Sequence, residues 1–164
     1  MMSGRRRMIL AGAGMGTVGV ALGGCSRSDA VAATGPFEVM KSPQQWRAIL
    51  TPAQYAVLRE ADTEHPESSP LDAEKRRGTY KCAGCQLPVY SSDAKFESGT
   101  GWPSFTAPLA NAVRTRPDDG LFTARTEVHC RRCGGHLGHV FDDGPKPTGK
   151  RYCMNGIAMQ FVSA

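Results

Sequence analysis

The chain lacks a large excess of charge of either sign. Its 20 Lys and Arg residues against 15 Asp and Glu residues give a formal charge of +5. Three of the cations are the consecutive Arg5, Arg6 and Arg7, and without them 17 basic residues face 15 acidic ones, which leaves +2. A surface for nucleic acid or for an acidic substrate needs a stronger basic field, so neither partner is expected.

A long, uninterrupted hydrophobic run is also absent. The most apolar stretch, residues 8–24, contains six glycines. It is shorter than the roughly 20 strongly apolar residues that a membrane-spanning helix needs. The chain shows no internal repeat, and its length predicts one compact domain once the N-terminus is set aside.

Residues 1–25 are predicted to be an export signal. The pair Arg6-Arg7 before a weakly apolar stretch resembles a twin-arginine signal, a route used by folded, metal-loaded proteins. Leu22-Gly23-Gly24-Cys25 resembles a lipoprotein processing box, and a lipid on Cys25 would tether the domain to a membrane surface. Simple secretion, or a cytoplasmic leader, are the alternatives. We expect an exported bacterial protein, periplasmic or lipid-anchored facing the periplasm.

Residues 26–37 are small and polar and are predicted to be a linker, followed by the folded domain over residues 38–164. Within that domain, Ser42-Pro43 and Thr51-Pro52 place a capping hydroxyl directly before a proline. This arrangement is typical of helix N-termini.

Helices are therefore predicted over residues 43–49 and 52–61. The apolar residues expected to pack them on a sheet are Trp46, Ile49, Leu50, Tyr55 and Leu58. From Gly78 onward, short runs of β-branched and aromatic residues are broken by Gly, Pro, Asp and Asn. That texture predicts a compact antiparallel β structure.

The six cysteines fall into three groups. Two C-x-x-C pairs are Cys82/Cys85 and Cys130/Cys133, and the isolated cysteines are Cys25 and Cys153. Two such pairs can supply the four thiolates of a tetrahedral, structural zinc site. Disulfides and a redox-active C-x-x-C are the alternatives. Two redox pairs flanking a separate reactive cysteine would be unusual, which favours zinc.

Cys153 is the candidate nucleophile. Arg151 and Asn155 lie two residues to either side, and in a strand such residues point to the same face as the cysteine. His136 and His139 supply two imidazoles that can donate protons near neutral pH. The alternatives are a buried, unreactive cysteine, and histidines that serve the core or a metal.

Residues 98–105 form the third candidate element. Glycines on both sides of Thr100 predict a tight loop, and Trp102 and Phe105 offer a rigid aromatic wall. Such a wall would suit a methyl group or a thioether. The alternative is that both aromatic residues belong to the core.

Together these elements resemble the methionine-R-sulfoxide reductase B family over residues 39–162. The motifs that carry the resemblance are Leu50-Thr51-Pro52, Gly78-Thr79-Tyr80-Lys81-Cys82-Ala83-Gly84-Cys85, Lys95-Phe96-Glu97-Ser98-Gly99, Gly101-Trp102-Pro103-Ser104-Phe105, His136-Leu137-Gly138-His139-Val140-Phe141, Asp143-Gly144-Pro145 and Pro147-Thr148-Gly149-Lys150-Arg151-Tyr152-Cys153-Met154-Asn155. Their order and spacing make the resemblance specific.

The resemblance implies a mainly β fold of two antiparallel sheets with short N-terminal helices, stabilised by one structural zinc ion on the four paired cysteines. It also implies reduction of the R epimer of methionine sulfoxide, in oxidised proteins or as the free amino acid. Cys153 would attack the sulfoxide and become a sulfenic acid. The residues expected around the substrate are Trp102, His136, His139, Arg151 and Asn155, with Phe105 in the aromatic wall.

The chain departs from the family at three positions. Many members have a resolving cysteine where this chain has Thr100. The sulfenic acid would then be reduced by an external thiol, such as a thioredoxin-like protein, or by Cys25 if that residue is retained. Gly135 and Gly156 replace small residues that are more usual in the family, and only modest changes in loop stiffness are expected.

Two other functions compete with the reductase hypothesis. One is a zinc-stabilised β module that binds a partner and catalyses nothing. The other is a thiol-disulfide oxidoreductase that uses one C-x-x-C pair. We expect a monomer in each case.

Overall fold

The computed structural model describes residues 37–119 and 124–164. The predicted export signal, Cys25 and the predicted linker up to residue 36 lie outside these residues. Phe37 packs edge-on against the ring of His129, with the ring centroids 5.8 Å apart. Within the two described ranges, no helix is both long enough and apolar enough to cross a membrane.

The two predicted helices are present as α1 (Pro43–Ile49) and α2 (Pro52–Glu60). Ser42 and Thr51 each accept a hydrogen bond from the amide of the third helical residue, a glutamine. The glutamine side chain in turn accepts from the amide of the cap, which completes a capping box in both helices. Helix α2 ends one residue before its predicted end, because Ala61 adopts the left-handed conformation with φ 57°.

Helix α1 packs along one narrow row of side chains, whereas α2 buries the adjacent Val57 and Leu58. Trp46 and Leu50, which are four residues apart, are both buried, as is Leu58 of α2. The prediction that Ile49 belongs to this row was wrong, since its side chain is 55% exposed. A helix of two turns touches the core along a single i, i+4 row, and Ile49 lies beside that row.

In the part of the chain that the structure describes, the remaining elements are nine strands and two short 3-10 helices, Ser92–Ala94 and Gly156–Ala158. The strands are β1 (Gly78–Cys82), β2 (Pro88–Ser91), β3 (Lys95–Phe96), β4 (Ser104–Phe105), β5 (Val113–Asp119), β6 (Ala124–Cys130), β7 (His136–Phe141), β8 (Arg151–Met154) and β9 (Met159–Ser163). They form a three-stranded sheet in the order β2-β1-β9 and a six-stranded sheet in the order β3-β4-β8-β7-β6-β5. All pairs are antiparallel, so the predicted fold class is confirmed.

Aromatic side chains join the two sheets. Phe105 of the six-stranded sheet stacks on Tyr90 with centroids 4.3 Å apart, and meets Tyr80 edge-on at 4.9 Å. Both tyrosines belong to the three-stranded sheet, and all three rings are fully buried. Contacts of this kind add to the stability that burial of the rings already provides.

Strand β8 carries Cys153 at the centre of the larger sheet. Cys153 pairs with Ser104 of β4 on one side and with His139 of β7 on the other. A Cβ atom on Gly138 would lie 2.2 Å from the carbonyl oxygen of Cys153. Glycine at this position therefore allows the two strands to approach closely, which sets the spacing of His139 and Cys153.

Gly156 has a packing role beyond loop stiffness. A Cβ atom at this position would lie 2.0 Å from Oγ of Ser69 and 2.5 Å from its Cβ. The glycine thus makes room for the segment around Ser69 beside the end of β8. The similar substitution at Gly135 accommodates Leu58, whose Cδ2 would lie 2.9 Å from an added Cβ.

Candidate active site and metal centre

A cavity of about 140 Å³ lies beside Cys153. Its walls are formed by Thr63, Trp102, Arg125, Gly138, His139, Phe141, Cys153 and Asn155. Pockets for drug-sized ligands usually measure about 300–1,000 Å³, so this cavity suits a single side chain better than a large cofactor. It brings together four of the residues predicted from the sequence, namely Cys153, His139, Trp102 and Asn155.

The thiol of Cys153 is partly buried next to residues 97–103, the segment between β3 and β4, which we call the tryptophan loop. Burial raises its pKa above the ordinary value of 9.0, because the low dielectric disfavours the charged thiolate. A hydrogen bond with Thr100, whose Oγ1 lies 3.8 Å from Sγ, opposes this shift. The positive charge of Arg151 and the hydroxyl of Ser104 act in the same direction as Thr100.

His139 lies at the cavity wall and is held by a carboxylate. Its Nε2 is 2.7 Å from Oδ2 of Asp118, and the same oxygen accepts a bond from Arg125 at 2.9 Å. An ionised carboxylate only accepts hydrogen bonds, so the proton of the neutral ring resides on Nε2. Burial lowers the pKa of His139, and Asp118 offsets part of that shift.

His136 occupies a different layer from His139. It is buried and does not line the cavity, and its ring centroid lies 5.2 Å from that of His139. Its Nδ1 is 2.9 Å from Oε1 of the buried Glu127, which is also paired with Arg116. The structure therefore places only His139 of the two predicted proton donors at the cavity.

Asp118, Arg125 and Glu127 were not identified from the sequence. Nothing in their local sequence distinguishes them from ordinary surface charges on a hairpin. The register of β5 with β6 places Asp118 opposite Arg125, and Arg116 opposite Glu127. Only this strand register shows that each histidine of β7 contacts a carboxylate that is paired with an arginine.

Arg151 acts near the cavity through its charge. Its guanidinium makes two hydrogen bonds to the carboxylate of Asp143, at 2.9 and 2.8 Å, and lies 4.4 Å from the ring centroid of Phe141. It does not line the cavity. It lowers the pKa of Cys153 through its positive charge and through a hydrogen bond. Its bonds to Asp143 compete for the same guanidinium.

Asn155 lines the cavity with a side chain that is already engaged. Its Oδ1 accepts from the amide of Glu64 at 3.0 Å, and its Nδ2 donates to the carbonyl of Leu137 at 3.2 Å. Asn155 lies just beyond the end of β8, and it borders the cavity together with Cys153. The amide also joins the segment after α2 to strand β7.

Glu64, which sequence reasoning also missed, fixes the tryptophan loop. Its carbonyl accepts a bond from Nε1 of Trp102 at 3.1 Å. Its carboxylate accepts from the amides of Gly156 and Ile157 just after β8. One residue thus ties Trp102 to the end of the strand that carries Cys153.

Phe105 does not form part of the cavity wall. It is fully buried, and its ring packs between the two sheets on Tyr80 and Tyr90. The prediction of a substrate contact at this position is therefore corrected to a core role. Trp102 and Phe105 are three residues apart, and the chain between them enters β4, so one ring faces the cavity and the other faces the core.

The four paired cysteines form the metal centre. Their sulfur atoms all lie within 4.8 Å of one another, with 3.7 Å between Cys82 and Cys133 and 3.5 Å between Cys85 and Cys130. Tetrahedral zinc with bonds of about 2.3 Å would place its sulfur ligands about 3.8 Å apart. The sulfurs are too far apart for disulfides and at suitable distances to hold one zinc ion.

The helices cover this centre. Arg59 of α2 donates to the carbonyl of Cys133 at 3.0 Å, and its guanidinium lies 4.9 Å from the ring centroid of Trp46. A Cβ atom on Gly84, within the first C-x-x-C turn, would lie 3.5 Å from the Trp46 ring. The buried row of α1 and α2 therefore packs directly against the metal-binding turns.

The family model of the SelR domain matches residues 50–163. A peptide methionine sulfoxide reductase MsrB of Methanosarcina barkeri is 53% identical over 75% of this chain and 87% of its own length. One of Bradyrhizobium diazoefficiens is also 53% identical, over 80% of this chain and 96% of its own. The crystal structure of the Mis18 'Yippee-like' domain is 19% identical over 54% of this chain and 98% of its own, with a TM-score of 0.43.

Replacement of Cys82 by serine should remove the metal and much of the stability. Structural zinc contributes about 10–16 kcal/mol of apparent binding free energy in zinc-finger peptides, which is comparable to the whole stability of a domain. We expect Cys82→Ser to lose its zinc and to unfold at a markedly lower temperature, while Cys153→Ser keeps both. Metal analysis and thermal unfolding of the two variants check this. A zinc-free Cys82→Ser protein of unchanged stability would contradict the assignment.

Proposed function

The chain belongs to the methionine-R-sulfoxide reductase B family, and we propose that it reduces the R epimer of methionine sulfoxide in oxidised proteins, with Cys153 as the nucleophile. It is a methionine sulfoxide reductase, as its relatives' identity over most of the chain indicates. The observation that carries the finer proposal is the juxtaposition of Cys153 and His139 on paired strands at one small cavity. A thiolate and an acid are the two groups that sulfoxide reduction requires.

At rest, the proton that Cys153 and His139 can exchange is on the sulfur of Cys153. Burial raises the pKa of Cys153 and lowers that of His139, so the neutral thiol and neutral imidazole are favoured. Transfer of the thiol proton to Nδ1 of His139 forms the reactive thiolate and an imidazolium. Asp118 stabilises the imidazolium through Nε2, as carboxylates do for catalytic histidines.

The chemical step then follows from this pair. The thiolate attacks the sulfoxide sulfur while the imidazolium protonates the sulfoxide oxygen, which makes the sulfur electrophilic. Methionine leaves and the oxygen remains on Cys153 as a sulfenic acid, so one thiol and one sulfoxide become one sulfenic acid and one thioether. Trp102, held by Glu64, offers its ring to the substrate methyl group.

The sulfenic acid is then reduced by an external dithiol, such as a thioredoxin-like protein, with release of water. Support comes from the other cysteines of the two described ranges, all four of which belong to the metal centre. Thr100 occupies the nearest loop position and cannot form a disulfide. Cys25 is the one remaining thiol of the chain, and it serves this role only if it is neither removed nor lipidated.

The substrate and nucleophile can be tested together. Protein starting at Ser26 should reduce the R epimer of a methionine sulfoxide peptide with dithiothreitol and leave the S epimer unchanged. Cys153→Ser, with its zinc retained, should abolish turnover because no thiolate is present. Chromatographic measurement of the methionine peptide checks both. Turnover by Cys153→Ser would refute the nucleophile, and folded, zinc-loaded protein inactive on both epimers would favour a non-catalytic module.

The pH dependence of the rate tests these protonation states of Cys153 and His139. Under single-turnover conditions the rate should fall below the pKa of His139, which lies below 6.5, because thiol and imidazole are then both protonated. It should also fall above the pKa of Cys153, which lies above 9.0, because no acid remains. Asp118 stays ionised across this range, since His139 holds its pKa below 3.8.

Asp118→Asn should therefore move the acid limb to lower pH and reduce the plateau rate at least about ten-fold, in line with the usual contribution of a general acid. Asp93→Asn, which removes an exposed carboxylate paired with Arg77, is the matched control and should leave the profile unchanged. An acid limb that stays in place in Asp118→Asn would argue against His139 as the acid.

We also propose that residues 1–25 direct export by the twin-arginine route and that Cys25 is lipidated. The support is the Arg6-Arg7 pair and the small residues before Cys25. In cells that express the full chain, replacing both arginines by lysine should leave the protein in the cytoplasm, and Cys25→Ser should release it from membranes. Unchanged fractionation of either variant would contradict the corresponding signal.

A further inference from the structure

Three hydroxyl groups form a chain that ends at the sulfur of Cys153. Oγ of Ser98 lies 2.9 Å from Oγ1 of Thr100 and 2.7 Å from Oγ of Ser104. Oγ1 of Thr100 lies 3.8 Å from Sγ of Cys153. We call Ser98, Thr100 and Ser104 the hydroxyl chain. Ser98 and Thr100 belong to the tryptophan loop, and Ser104, at the start of β4, is fully buried.

The hydrogen bond of Ser104 determines which hydroxyl of the chain donates and which accepts. Ser104 donates to the carbonyl of Trp102 at 3.1 Å, so its only proton is committed there. Ser98 must then donate to Ser104. Thr100 in turn donates to Ser98, which leaves its oxygen to accept the S–H of Cys153. The chain thus suits a neutral thiol at rest.

Loss of the thiol proton reverses the hydrogen bond between Thr100 and Cys153. A thiolate has no proton to donate, so the hydroxyl of Thr100 gains by rotating toward the sulfur. It exchanges a neutral hydrogen bond to Ser98 for a charge-assisted one to Cys153, and charge-assisted bonds are roughly twice as strong. Rotation of a hydroxyl proton moves no heavy atom.

We propose that Thr100 is a further catalytic residue, which donates a hydrogen bond to the Cys153 thiolate in the reactive state, with Ser98 and Ser104 as the positioning residues that hold it there. The proposal rests on the proposed function only in taking Cys153 as the reactive thiol. Many members of the family have a second cysteine at the position of Thr100, and the Thr100 hydroxyl would have a different role there. It stabilises the first thiolate and does not form a disulfide with it.

The other polar groups near the sulfur are each engaged by a second partner. Arg151 is the cation closest in sequence, and its two hydrogen bonds to Asp143 neutralise part of its field. His139 faces Cys153 from β7 and is itself paired with Asp118, which Arg125 shares. From β4, Ser104 also contributes a hydroxyl to the thiol environment. Ser104 gives up its bond to the carbonyl of Trp102 when it donates to the sulfur, whereas Thr100 gives up only its bond to the hydroxyl of Ser98.

The test is the pH dependence of Cys153 alkylation by iodoacetamide in the full-length, zinc-loaded protein, followed at the Cys153 peptide by mass spectrometry. The alkylation rate reports the thiolate and needs no sulfoxide, so its result is independent of whether the reductase proposal holds. Thr100→Val removes the hydroxyl at nearly constant volume, and Thr100→Ser keeps it.

In Thr100→Val the midpoint should rise by about one pH unit, so that alkylation near neutral pH slows about ten-fold, because the thiolate loses one hydrogen bond to a charged group. Thr100→Ser should behave like the unmodified protein. Ser98→Ala, which removes the group that positions Thr100, should shift the midpoint in the same direction by a smaller amount.

Zinc content and thermal unfolding show that each variant is folded. A midpoint in folded Thr100→Val equal to that of the unmodified protein would overturn the proposal, as would an equal rise in Thr100→Ser. If Thr100→Val does not fold, Ser98→Ala decides the question: an unshifted midpoint there would overturn the proposal, and a rise that Ser98→Thr does not show would support it.

Discussion

The metal centre is the constraint on which the rest of the structure depends. Cys82 ends strand β1 of the smaller sheet and Cys130 ends strand β6 of the larger one, so the four sulfurs within 4.8 Å of one another join the two sheets. Strand β7 begins three residues after Cys133 and carries both histidines. A fixed position of the second C-x-x-C turn therefore fixes where His139 can meet Cys153. The sulfurs of the metal centre are thus unavailable for redox chemistry, which leaves Cys153 as the candidate nucleophile of the described residues.

Burial at the cavity shifts the pKa values of Cys153 and His139 in opposite directions. It raises the pKa of Cys153 and lowers that of His139, which on its own would leave both groups neutral and the thiol weakly reactive. Several polar neighbours act against that effect, although Arg125 and His136 lower the pKa of His139 further. Asp118 favours the imidazolium, while Thr100, Ser104 and Arg151 favour the thiolate. Burial strengthens these interactions because it lowers the local dielectric. The hydrogen bonds and charges in turn favour the thiolate of Cys153 and the imidazolium of His139.

Partners that come from distant parts of the chain complete the site. Glu64 lies 38 residues before Trp102 and 92 before Gly156, and it binds the backbone or side chain of both. Asp118 lies 21 residues before His139. Each of these residues is an ordinary charged residue in its local sequence. Their roles depend on strand register and on the path of the segment after α2, which local patterns do not specify.

Those patterns predicted the helices well, because Ser42-Pro43 and Thr51-Pro52 determine their own caps through contacts three residues away. They failed for Ile49, since which row of a short helix meets the core depends on what packs against it. They also failed for Phe105, whose aromatic character suits a cavity wall and a core equally. The ring's position was decided by the pairing of β4 with β8, which turns it toward Tyr80 and Tyr90.

Short sequence patterns are enough to identify the metal ligands, the capped helices and the fold class, and to make Cys153 the candidate nucleophile, because each of these depends on spacing within a few residues or on a motif of fixed order. The tertiary structure alone decided which histidine reaches the cavity, which carboxylates support the two histidines, and which hydroxyl meets the thiol. These depend on strand register and on close backbone approach at Gly138, where an added Cβ would lie 2.2 Å from a carbonyl oxygen. Contacts between residues far apart in the chain form only when the sheets have packed, so their geometry belongs to the fold as a whole.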